Sequence, residues 1–198
     1  MDHMLHPSDE ELVARARKKD KQAFTELFDR YKNRILGYLY RYTHDYHLAE
    51  DLTVETFLSV YNNIAFYEEK SKFLSWLYTI ATNCAKKELR KKRYRTEVSL
   101  DEPIMSEDGK IKLADFVSDE KTRPDYAARE NEFKELIYKI VDAMDEKYKS
   151  VLLLCDIEGL NYKEAAKTLG INPITVGTRL RRARKALYEA LKRYDIKF

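Results

Sequence analysis

The chain has 198 residues, with 37 Lys and Arg against 34 Asp and Glu, and its hydrophobic share of 44% is enough for one folded domain or two small ones. Only 5 Gly and 4 Pro favour long helices over a sheet protein with many tight turns. The longest apolar run, Val151 to Cys155, is far too short to span a membrane, and Met1 to Pro7 lacks the basic cluster and apolar core of a signal peptide, so a cytoplasmic protein is expected.

Residues 8–95 read as helices in series. Ser8 and Glu11 make a capping-box pattern ahead of a short helix through Leu12, Val13 and Ala16. Asp20 is placed to cap the next helix. There Phe24, Leu27, Phe28, Tyr31, Ile35, Tyr38, Leu39 and Tyr42 recur at steps of three and four, giving one apolar stripe. Asp45 is placed to cap a third helix, through Leu48, Leu52, Phe57 and Tyr61. A loop from Phe66 to Lys70 leads to Ser71, the expected cap of a fourth. That helix sets Phe73, Trp76, Leu77, Ile80, Ala81 and Cys84 on one face. No single helix can bury such a stripe, so a compact bundle is expected.

Residues 96–125 differ. They contain Pro103, Gly109 and Pro124, show no sustained period, and carry nine acids against four bases. This composition is that of a flexible acidic linker. Helical periodicity returns over 126–195. Phe133, Leu136, Ile137, Ile140, Val141 and Met144 form one stripe, and Tyr148, Val151, Leu152 and Cys155 the next. Asn161 and Glu164 repeat the capping pattern before Ala165, Ala166 and Leu169. Gly170 suits the left-handed position that ends that helix. Asn172 then caps a longer one, with Pro173 in its first turn and Val176, Leu180, Ala183, Leu187, Leu191 and Tyr194 facing inward. The fold class is therefore all-α, with two small helical domains joined by the linker.

Three segments carry chemistry. The first is a short helix, Gly170-Ile171-Asn172, and a long helix, which together make a helix-turn-helix. From Pro173 to Leu187 the second helix has Arg179, Arg181, Arg182, Arg184 and Lys185 and no acid. An inward apolar stripe leaves these bases outside, where they suit a phosphate-lined major groove. Thr175, Gly177 and Thr178, then Arg181 and Arg182, lie nearest the base edges. The other cations position the helix on phosphates.

The second is Lys86 to Arg95, with seven bases and one acid in ten residues. It extends an aromatic-rich helix and follows Phe66-Tyr67. Cations beside aromatics give a single strand both backbone neutralisation and stacking surfaces. A basic helix end is also favoured by the helix dipole alone. The third is Ala49 to Leu58, where Glu50, Asp51 and Glu55 interleave with apolar residues. These acids suit a basic partner protein or a plain solvated face. His44 and His47 do not complete a metal site there. Cys84 and Cys155 are far apart with no CxxC, which suits small buried side chains better than zinc or redox chemistry. No nucleophile–base pair, P-loop or metal cluster supports an enzyme, and no cofactor is expected.

With these residues in view, the chain resembles the extracytoplasmic-function sigma factors of the sigma-70 family from about Glu11 to Leu191. Ala49-Glu50-Asp51-Leu52 with Glu55-Thr56-Phe57 is similar to region 2.2. Phe73 to Asn83 is similar to the F-x-x-W-L-Y-x-I-A-x-N signature of regions 2.3 and 2.4. Leu160 to Ala166 and Val176 to Arg184 are similar to region 4.

The resemblance implies an alternative sigma factor that binds core RNA polymerase and directs initiation at particular promoters. Its region 2 domain, 8–95, would hold the basic clamp helices of the β′ subunit through Glu50, Asp51, Leu52, Glu55 and Phe57. Phe66 and Asn83 would capture flipped bases of the −10 element, while Lys86, Lys87, Arg90 and Lys91 hold the strand backbone. The region 4 domain, 126–195, would read duplex −35 DNA through Thr175, Thr178, Arg179, Arg181, Arg182 and Lys185 and meet the β flap. The linker would thread a cationic channel of the polymerase. An anti-sigma factor is a further expected partner. Gly177 departs from the family, which usually has Lys or Arg there. The competing reading is a helix-turn-helix regulator that binds duplex DNA without polymerase.

Overall fold

The computed structural model describes residues 7–68, 72–98 and 136–193, with 92–98 described by backbone alone. The expected cap Ser71, the segment 99–125, Phe133 and Tyr194 lie outside the described residues. So do the side chains of Lys92, Arg93 and Arg95.

Each early helix starts where a side chain satisfies backbone N–H groups that the helix leaves unpaired. The Ser8 hydroxyl accepts from the Glu11 N–H, and the Glu11 carboxylate accepts from the Ser8 N–H, opening α1 (Asp9–Arg17). Asp20 accepts from the N–H groups of Gln22 and Ala23 to open α2 (Lys21–Thr43). The Ala23 bond, then the Arg15 guanidinium, hold the Asp20 carboxyl below its ordinary range. α2 ends at His44, which adopts the left-handed conformation at φ +53°. Asp45 caps α3 (Tyr46–Asn63), accepting from Leu48 N–H at 3.1 Å. A 3-10 turn, Ile64–Phe66, leads towards α4 (Phe73–Val98), which continues three residues beyond 95.

The apolar stripes meet in one core. Leu12, Leu27, Ile35, Leu39, Leu52 and Leu77 are all buried. Phe28 and Phe57 join α2 to α3 edge to face, with centroids 4.8 Å apart. Trp76 packs on Tyr67 and Phe73 at the rim of this core. Tyr61 departs from its stripe. It is 46% exposed and reaches the core only through the edge of Phe24.

The second helical domain comprises α5 (136–142), α6 (Glu146–Leu152), α7 (Tyr162–Leu169) and α8 (Pro173–Lys192). α6 widens into one π turn, Leu153–Ile157. Val151, Leu154, Ala165, Val176, Leu180 and Ala183 fill its centre. Cys84 is buried and Cys155 half-buried, and both thiols are free.

The two domains pack on each other. α4 is buried on a second side that its expected stripe leaves out, where Ser75, Tyr78 and Thr82 face inward. Thr168 of α7 donates to the Ser75 carbonyl at 3.2 Å. Lys149 of α6, itself buried, donates to the Tyr42 carbonyl at 3.1 Å and to Asp142 at 2.6 Å.

Candidate nucleic-acid interface

The helix-turn-helix is fixed at each joint by a local device. Asn161 accepts from the N–H groups of Lys163 and Glu164, both at 3.0 Å, and Glu164 accepts from Asn161 N–H. Gly170 ends α7 at φ +64°, a conformation that costs glycine little. Asn172 then accepts from Ile174 N–H at 2.8 Å, and Pro173 begins α8 where no backbone donor is needed.

With Val176, Leu180 and Ala183 buried, α8 turns Thr178, Arg181, Arg182 and Lys185 to the open side. Thr175 and Arg179 are half-buried on the flank towards α6. There Asp145 is held below its ordinary range by its bond with Lys147 first, with the Arg179 charge a smaller contribution. Arg184 forks onto Asp156 at 2.9 and 2.5 Å, which raises its already high pKa and engages it within the fold. Ile174 is 79% exposed, one turn before Thr178 on the same open side. The sequence reading passed over it, although the spacing of four marked its face. An apolar side chain there suits the methyl group of a thymine.

The candidate single-strand residues lie along α3's end and α4. Tyr67 is buried against Phe73 and Trp76, and this anchoring leaves its neighbour Phe66 81% exposed. A ring so exposed is open to stacking. Asn83, also exposed, stands ten residues beyond Phe73, about 15 Å along the helix. Beyond Asn83, Lys86 pairs with Glu146 of the other domain at 3.5 Å, Lys87 with Glu55 at 3.2 Å and Lys91 with Glu88 at 2.9 Å. Arg90 is exposed. Exposed pairs of this kind are worth about 0–1 kcal/mol, so a phosphate can replace the carboxylates. Beside these cations lies a cavity of about 660 Å³, closed on its far side by Met144, Glu146 and Lys149.

The acidic face of α3 needs a correction. Glu50 and Asp51 are exposed and Glu55 is half-exposed, but Leu52 and Phe57 are 2% and 4% exposed and belong to the core. Neither presents more than a few per cent of its surface to a partner. The apolar side chains beside the acids are Val54, Leu58 and Tyr61, each about half exposed. A helix rotates 100° per residue, which sets 54 and 58 among 50, 51 and 55, with 61 at one edge, and turns 52 to the opposite side; 57 lies at the border, about two turns beyond 50, where its ring packs on Phe28.

Comparison with known proteins agrees with both halves. Sigma-70 region 2 matches residues 27–95, and sigma-70 region 4 matches 134–187. The RNA polymerase sigma-H factor of Pseudomonas aeruginosa is 31% identical over 96% of this chain and 96% of its own length. The extracytoplasmic-function sigma factor SigW of Bacillus subtilis is 32% identical over 91% of this chain and 95% of its own. The fold is shared with CnrH, solved with the cytosolic domain of CnrY, at a TM-score of 0.66, 21% identity and 93% and 97% coverage. It is also shared with the sigma factor RpoE of Bartonella quintana, solved with the anti-sigma factor NepR, at 0.65, 22% identity and 85% and 96% coverage.

The arrangement of a region 2 bundle and a region 4 helix-turn-helix is that of a sigma-70 transcription factor. The chain belongs to the extracytoplasmic-function group of that family. It is an alternative sigma factor that directs transcription initiation and does not act as a polymerase-independent regulator. Among the described residues no helix is long and apolar enough to cross a membrane.

Proposed function

We propose that the domain at 126–195 reads a duplex −35 element through α8, and that the domain at 8–95 captures unpaired bases of the −10 element. Base-edge contacts come from Thr178, Arg181 and Ile174. Arg182 and Lys185 hold phosphates, and Thr175 and Arg179 steady the helix from its flank. Phe66 and Asn83 each receive one flipped base. The few kcal/mol spent on unstacking a base are returned by stacking and hydrogen bonding. Lys86, Lys87, Arg90 and Lys91 neutralise the strand's backbone.

Polymerase attachment is assigned to Glu50, Asp51 and Glu55 with Val54, Leu58 and Tyr61, facing the clamp helices of β′. The region 4 domain meets the β flap. Residues 96–125 lie in the polymerase's cationic channel, where their net negative charge is stabilised. The protein works in the cytoplasm without catalysis of its own. An anti-sigma factor holds it until a stress signal arrives, as the CnrH and RpoE complexes suggest by analogy.

The observation that carries this reading is the pairing of an exposed aromatic, Phe66, with a separate cationic helix face, Arg181 to Lys185. The first suits unpaired DNA and the second paired DNA. In vitro transcription with core polymerase on a randomised promoter library is the test. Enrichment of two sequence elements at fixed spacing supports the reading. Initiation without a −35 preference removes the α8 assignment, and failure to confer start-site selection removes all of it.

A further inference from the structure

We infer that Asp156 is a positioning residue for −35 reading: its fork on Arg184 keeps that guanidinium off the DNA phosphates and fixes the rotation at which α8 presents Thr178 and Arg181. The inference rests on the assignment of α8 to duplex DNA and names what sets the helix's angle there.

Among the described residues, no other base of α8 forms an ion pair with an acid. Both arms of the guanidinium are engaged, Nε donating to one carboxylate oxygen at 2.9 Å and Nη2 to the other at 2.5 Å. A two-armed pair fixes direction as well as distance. The lysine pairs of α4, Lys87 with Glu55 and Lys91 with Glu88, rest on single contacts and fix less. Asp156 stands in the π turn that ends α6, and single π turns recur at functional sites. The Asp156 side chain is 27% exposed and that of Arg184 57%. The guanidinium is therefore held at the surface of the domain, within reach of bound DNA, and not sunk in its core.

Val176, Leu180 and Ala183 bury the inner side of α8. Hydrophobic burial is non-directional, so the roll of the helix about its axis is left to directed contacts. Arg184 lies seven residues beyond Gly177, which places the two on the same side of α8, about 10 Å apart. The Tyr162 ring from α7 covers Gly177. One flank of α8 is thus held at two points, by a ring and by a carboxylate. Thr178 stands about 100° round the helix from Gly177, and Arg181 about 60° from Arg184, so both directions are set from this flank.

The same flank is kept free of loose charge. Position 177 is glycine and Arg184 is paired. A released Arg184 would stand beside Arg181 as one more phosphate contact, and phosphate contacts carry no sequence information.

The test uses holoenzyme assembled from the full chain and core polymerase. Its affinity is measured from 50 to 200 mM salt for a labelled promoter duplex with the enriched −35 sequence and for one with a single exchanged −35 base pair. Wild type should prefer the matched duplex by at least about fivefold, as one mismatched pair generally costs. Asp156→Asn should bring that ratio below about twofold. It should also steepen the logarithmic salt slope by about 0.9, the mark of one added phosphate contact, which is roughly a threefold extra loss across that range. Arg184→Met should lower the ratio with no change of slope, and the double variant should do the same. The pair is probed from both elements, so one single variant suffices if the other does not fold.

A merely structural pair would lower the urea midpoint and leave the ratio and slope of the folded protein as they were, which overturns the inference. A slope shallower by about 0.9 in Arg184→Met alone also overturns it, since Arg184 would then hold a phosphate in the wild-type complex. A wild-type ratio near one removes the α8 assignment and this inference with it. A fivefold ratio that both variants keep removes this inference alone.

Discussion

The ring of Tyr162 lies against the bare Cα of Gly177, its Cε2 atom 3.4 Å from where a β-carbon would stand. The first residue of α7 thus covers a position on the recognition helix. A single methyl group at that distance makes ordinary van der Waals contact, and alanine is favoured over glycine inside a helix by about 1 kcal/mol. Gly177→Ala should therefore stabilise the chain by up to about 1 kcal/mol in urea denaturation, with −35 choice unchanged. Gly177→Lys must push Tyr162 aside and adds a charge to the DNA face. It should alter the enriched −35 sequence when the library is transcribed. If Gly177→Ala destabilises instead, the Tyr162 contact is tighter than its geometry indicates.

Phe66 and Asn83 offer a second prediction. Phe66→Ala removes an exposed ring that packs on nothing in the core, and Asn83 is exposed on α4. Neither change should shift the melting temperature beyond the small effect usual for surface sites. Both should reduce strand opening, read as permanganate reactivity of −10 thymines, by about tenfold or more, since a lost stacking contact costs about 1–3 kcal/mol per base. Binding to core polymerase should be retained. Normal permanganate reactivity in both variants would end the base-capture assignment.

Much of the fold was legible because its signals are local. Ser8, Asp20, Asp45, Asn161 and Asn172 all cap the helices that their spacing indicates. Periodicity marks which side of a helix is apolar, and Leu27, Ile35, Leu39, Val176 and Leu180 are buried accordingly. What escaped was long-range. Tyr78 and Thr82 look like polar flank residues until Glu158, eighty residues from Tyr78, is brought against α4. The partnership of Arg34, Arg41 and Glu158 leaves no mark in the sequence, because no rule of spacing pairs residues more than a hundred apart. Leu52 and Phe57 were placed on the partner face by a family motif that runs along the sequence. A helix distributes such a motif over both of its sides.

That error gives a third prediction. Leu52→Ala deletes a buried side chain and should cost about 2–5 kcal/mol of stability. Any loss of polymerase binding should follow the loss of folded protein and recover at lower temperature. Leu58→Ala and Val54→Ala remove exposed apolar groups beside Asp51 and Glu55, so they should leave the unfolding curve within about 0.5 kcal/mol of wild type. They should weaken core binding at every temperature, as measured by competition with another sigma factor. Glu50→Lys with Asp51→Lys should weaken it further and make the affinity less sensitive to salt, as expected for charges facing a basic partner. If Leu58→Ala and Val54→Ala bind core as wild type does, the polymerase face lies elsewhere.

Cys155 supplies the last prediction. Burial, with the nearby Asp156 carboxylate adding to it, pushes its thiol up to about 11 from an ordinary value of 9.0. The thiolate, which is the reactive form, is then roughly a hundredfold scarcer near pH 8 than for an unperturbed cysteine. In the folded chain Cys155 should react with iodoacetamide at least about tenfold more slowly than free cysteine, and unfolding in urea should remove the protection. Cys84 is shifted in the same direction, again by burial first, and should behave alike. The sign for stability follows from which state holds the proton. Between pH 9 and about 11 the unfolded chain releases it and the folded chain keeps it, so stability is undiminished below pH 9 and falls as pH rises through that window. Denaturation midpoints at pH 8 and pH 10 for wild type and Cys155→Ser test the sign directly. The difference between the two proteins should shrink at pH 10, and a difference that grows there would mean the folded state favours the thiolate.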